Sequence, residues 1–85
     1  MYIYASYPDF ESANFVLYFS SIGKIKKPRA GFVDLQKAKD LYGENSCIIK
    51  ISVNPEAQED ISENINEGMQ MYAESDILEC TLYSE

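Results

Sequence analysis

Residues 2–7 (Tyr-Ile-Tyr-Ala-Ser-Tyr) are rich in aromatic and β-branched types and stop at Pro8, a pattern that predicts a first strand. Asp9 then offers a helix N-cap, and Phe10, Ala13 and Leu17 recur at helical spacing on one side. Phe15, Tyr18, Phe19 and Ile22 widen that apolar face until Gly23 ends the helix, so this helix is expected to be the most buried. Residues 24–29 read as a basic connection or an edge strand, because Pro28 lacks the N–H a central strand must donate. A short strand over 30–33 follows. Asp34 then caps a second helix with Leu35, Ala38, Leu41 and Tyr42 inward, Lys37 and Lys39 in water, and Gly43 at its end.

The clearest strand is Cys47 to Val53, with Cys47, Ile49, Ile51 and Val53 on an apolar face and Ile48, Lys50 and Ser52 on the other. Asn54-Pro55-Glu56 supplies a capping residue, a first-turn proline and a carboxylate at the positive end of the helix dipole, which predicts a third helix running to about residue 73. Its inward stripe is Ile61, Ile65, Gly68, Met69 and Tyr72. A last strand over 77–83 alternates Leu78, Cys80 and Leu82 with Glu79, Thr81 and Tyr83. Tyr2 and Tyr4 share a strand face, which Tyr83 joins if the last strand lies alongside. The order β-α-β-α-β-α-β predicts an α/β domain, with α+β as the alternative, built on one sheet of about four strands with three helices on at least one face. Strand neighbours joined through a helix are expected to be parallel, with antiparallel pairing open at the edges.

The 85 residues suffice for one modest core, so residues 1–85 are expected to form one compact domain. Apolar types make up 46% and charged types 25%, values of a folded domain, and no stretch has the length of a membrane span or the layout of a signal peptide. A soluble, cytoplasmic protein is expected. Histidine and tryptophan are absent, which excludes histidine bases, histidine-containing triads and histidine metal ligands.

Charge is partitioned. All seven basic residues lie between positions 24 and 50, whereas residues 51–85 hold nine acidic residues and no basic one, on a chain of net charge −7. On the third predicted helix Glu59, Glu63 and Glu67 stack at i, i+4 and i+8 with no lysine to relieve them, an arrangement that costs helix stability. With Glu56, Asp60, Tyr72 and Glu74 they make the expected partner-binding face, a spread of carboxylates able to engage Lys and Arg of another protein. A merely solvated helix exterior is the plain alternative.

No other chemistry emerges. The acids have no predicted cleft for paired acid–base work, no calcium loop spacing occurs, and the isolated glycines make no phosphate cradle. Neither a cofactor nor a metal is expected. Cys47 and Cys80 fall on inward strand positions as reduced thiols, a disulfide being open only if their strands neighbour each other. Lys24, Lys26, Lys27 and Arg29 are too few on so acidic a chain for direct nucleic-acid binding, and they suit an edge guarded against aggregation.

Asp34, Ala38 and Tyr42-Gly43 before the strand Cys47 to Val53 resemble a stretch of the ADP-ribosyltransferase and RNA phosphotransferase fold. The polar first-strand motif that those enzymes set on the nicotinamide cofactor has no match in Tyr4-Ala5-Ser6, and no catalytic glutamate motif follows, so membership is not expected. In size and charge the chain is similar, as a type, to phage-encoded inhibitors of nucleic-acid-targeting host defences and to immunity proteins. The expected function is therefore non-enzymatic: binding and inhibition of a basic, nucleic-acid-binding partner protein by occlusion. Alternatives are a small adaptor or self-assembling domain, in which one copy's basic segment meets another's acidic helix, and a small enzyme or ligand-binding domain with a pocket.

Overall fold

The computed structural model describes residues 1–60 and 68–84. Five strands form one sheet in the order β4-β2-β1-β3-β5, every neighbouring pair antiparallel: β1 (Tyr2–Tyr7), β2 (Ala30–Phe32), β3 (Cys47–Val53), β4 (Met69–Met71) and β5 (Ile77–Leu82). Among the described residues two α-helices, α1 (Phe10–Ser21) and α2 (Leu35–Tyr42), pack on it, which makes a mixed α+β domain.

The central pair is β1 with β3, in register from Tyr2 opposite Ser52 to Tyr7 opposite Cys47. This register puts Ile3 and Ala5 beside Ile49, Ile51 and Val53 on one face, where α1 adds Ala13, Val16 and Leu17. The opposite face holds Ile48, Phe32 and Tyr4 under Ala38 and Leu35 of α2. The helices thus lie on opposite sides of the sheet, because the period-two alternation of β3 is apolar on both faces at its Cys47 end. Ile3, Ile49, Ile51 and Val53 are fully buried, each contributing about 1.5–3 kcal/mol of transfer free energy.

Both helices start as the sequence predicts. The Asp9 carboxylate accepts the Ser12 N–H at 2.7 Å, which holds its pKa below the ordinary carboxylate range, and Asp34 accepts the Gln36 N–H at 2.9 Å. α1 ends in a Schellman motif: Gly23 adopts φ 76°, its N–H bonds the Ser20 carbonyl, and the Lys24 N–H bonds the Phe19 carbonyl at 2.9 Å.

Several expectations are corrected. The third helix is not present over the described part of its span: Asn54 to Asp60 is a turn followed by irregular chain, and residues 69–71 are strand β4. The Asn54 side chain accepts the Glu56 N–H at 3.1 Å and its carbonyl accepts the Ala57 N–H at 2.9 Å. Its capping chemistry is therefore used to close a turn. Ile61, Glu63, Ile65 and Glu67 lie outside the described residues. The expected parallel neighbours are replaced by antiparallel ones throughout the sheet. α1 is not deeply buried: Ala13 alone of its residues is fully so, while Phe10, Phe15, Tyr18 and the flanking Ile22 are exposed. In α2, Leu41 and Tyr42 are exposed as well, whereas Lys39 is half-buried against the Tyr83 ring. Leu78 also points outward, since a register shift in β5 places Ile77 opposite Val53 and the next pair is Ser52 with Glu79.

Candidate functional site

Of the acidic residues that the sequence singles out, Glu56 and Glu74 are brought near each other by a backbone contact at one end of the sheet. The Asn54 N–H donates to the Asp76 carbonyl at 2.9 Å, so the turn carrying Glu56 sits beside the 3₁₀ turn Glu74–Asp76. Glu56, Glu59 and Glu74 are exposed there. Glu59 also lies close enough to Tyr72 for its charge to add to the burial that raises the Tyr72 hydroxyl pKa. No basic residue of the 51–85 segment offsets these charges, because the sequence has none there.

Two of the expected contact residues have partners within the fold. Tyr72 is 3% exposed, its hydroxyl donating to Gln70 Oε1 beside Met1 Sδ, and it belongs to the main core. Asp60 faces Arg29 at 3.7 Å, and its N–H bonds the Met71 carbonyl at 2.7 Å. Arg29 Nη1 in turn donates to the Tyr72 carbonyl at 3.0 Å. Arg29, expected in an exposed basic stretch, therefore ties the end of β4 to the connection after α1. Being partly exposed, its ion pair with Asp60 contributes at most about 1 kcal/mol.

At the opposite end of the sheet an open depression of about 460 Å³ is lined by Lys39, Glu44, Ser46, Cys47 and Tyr83. Burial pushes the Cys47 thiol up, only partly opposed by a hydrogen bond from the Ile48 backbone, so the sulfur is protonated at neutral pH and is a poor nucleophile. Burial pushes up Cys80 too, against the opposing charge of Lys27. β3 and β5 are neighbours, yet Cys80 stands opposite Ile51 and Cys47 opposite Tyr7. That offset is about 13 Å along the strand at 3.3–3.4 Å per residue, and both cysteines are free. Among the described residues no group of three or more acidic or cysteine side chains could hold a metal ion, and no helix is long and apolar enough to cross a membrane.

Phe15 and Tyr18 of α1 and the C-cap Ile22 are exposed and half-buried Phe19 borders them, with Phe15 and Phe19 ring centroids 4.4 Å apart and Tyr18 meeting Phe19 edge-on at 5.2 Å. Their i, i+3, i+4, i+7 spacing is legible in the sequence, and its error was to merge two opposed stripes into one inward face.

In comparisons with known proteins, no family model, curated protein or solved structure matches the chain.

Proposed function

We propose that this protein is a non-enzymatic, cytoplasmic inhibitor that binds a basic, nucleic-acid-binding partner protein through its acidic end and occludes the surface where nucleic acid would sit. The observation that carries this reading is that the turn bearing exposed Glu56 sits beside the turn bearing exposed Glu74, with Glu59 exposed a little further along, in a segment without a single basic residue. Such a field attracts a cationic surface over about 8 Å at physiological salt and repels nucleic acid itself. The proposal shares its size and charge with phage-type anti-defence inhibitors and immunity proteins, and it needs no cofactor.

The test is capture of a partner from host lysate at low salt, followed by binding measurements on the purified pair. The variant Glu56→Lys/Glu59→Lys/Glu74→Lys should bind at least about tenfold more weakly, as expected for reversed interfacial charges, while keeping the wild-type circular dichroism. Unchanged affinity would mean that the acidic end only solubilises the chain.

A further inference from the structure

The outer face of α1 carries a packing seam that none of the described residues fills. Glu11, Phe15, Tyr18 and Ile22 follow a 4-3-4 spacing along the helix, the repeat of a helix that packs against another helix. Phe15, Tyr18 and Ile22 are 55%, 58% and 49% exposed, so an apolar, largely aromatic surface about 10 Å long faces solvent. The inner stripe of Ala13, Val16 and Leu17 supplies the packing of α1 on the main core, and the outer one takes no part in that cluster.

The charges at the two ends of the seam name its occupant. Glu11 sits in the first turn and on the seam, and Lys24 is fixed just past the last turn by its N–H bond to Phe19. Lys26 follows, and neither lysine pairs with an acidic group among the described residues. The geometry points to a second copy of this chain, bound by antiparallel packing of the two α1 helices across a two-fold axis. In that arrangement Phe15 lies against Ile22 of the other copy, the Tyr18 and Phe19 rings meet at the axis, and Glu11 faces Lys24 and Lys26 twice over. Two-fold symmetry makes the pairing self-complementary, and antiparallel helices oppose their dipoles favourably. The interface lies on α1, apart from the acidic end, so its failure would leave the partner-binding reading untouched.

Sedimentation equilibrium of the full chain between about 1 and 300 μM tests it. The expected result is a species of twice the 9.7 kDa chain mass. Phe15→Ser with Tyr18→Ser should give a monomer with an unchanged circular dichroism spectrum. Glu11→Lys should weaken the dimer about fivefold, the scale of two exposed ion pairs, and Glu11→Lys combined with Lys24→Glu and Lys26→Glu should restore it. A wild-type monomer throughout the range, or a dimer that survives the double serine change, overturns the proposal; indifference to the charge swap overturns the antiparallel arrangement.

Discussion

Gly31 of β2 passes so close to β1 that a Cβ there would lie 2.6 Å from the Tyr4 carbonyl oxygen, a clash with backbone that cannot swing away. Gly23, by contrast, has open space around it and is required only for its positive φ. Replacing each by alanine separates the two costs. Gly23→Ala should lose about 1 kcal/mol in urea denaturation through left-handed strain, and Gly31→Ala more, at about 2–3 kcal/mol. Equal losses would mean that β2 gives way easily. The cysteines make a second prediction at this scale. Burial raises both thiols in the folded state, so the native protein keeps protons that the unfolded chain has already released. Their stabilisation is complete below the unfolded thiol value of about 8.5 and is lost as pH climbs through the folded values. Tyr7 and Tyr72, raised chiefly by burial, extend the loss above about pH 10. Urea midpoints should therefore fall from about pH 8 upward, and Cys80→Ala should flatten the first part of that decline. A midpoint that rises with pH would contradict the burial of these groups.

Among the elements, β1, both helix starts and β3 were legible because local and tertiary preferences agree in them. Asp9 and Asp34 cap as their type predicts, and the alternation of β3 matches its two buried faces. The stretch after β3 was misread because Asn54-Pro55-Glu56 has the chemistry of a helix start and of a turn alike, and the pairing of residues 69–71 with Ala30–Phe32 decides between them. Met69-Gln70-Met71 has little strand propensity of its own, so β4 exists through its partner strand. Helix faces were the other error, since an apolar stripe in sequence does not say which side the sheet lies on. Denaturation of two variants checks the resulting assignment. Ile49→Ala, in the fully buried row of β3, should cost about 2–5 kcal/mol, whereas Leu41→Ala, on the outer side of α2, should stay within about 0.5 kcal/mol. A large loss at Leu41 would return that face of α2 to the core.

Over the whole molecule, charge is the property that survives from sequence to structure. Its partition is readable at once, but what sets Glu56 beside the turn of Glu74 is the bond between the Asn54 and Asp76 backbones and not a shared helix face. Tyr72 could not be assigned from sequence, because a tyrosine is equally suited to a core and to an interface, and its burial comes from joining the cluster of Ile3, Ile51, Val53 and Ile77. The central claim is an electrostatic one, that the acidic end meets a cationic surface. The measurement that tests it most directly is the dissociation constant of the captured partner at about 50 and 300 mM salt, for the wild type and for Glu56→Lys/Glu59→Lys/Glu74→Lys. The account predicts that wild-type binding weakens at least about tenfold across that range, and that the variant binds weakly at both salts. Wild-type affinity that ignores salt, matched by a variant that binds equally well, would contradict it.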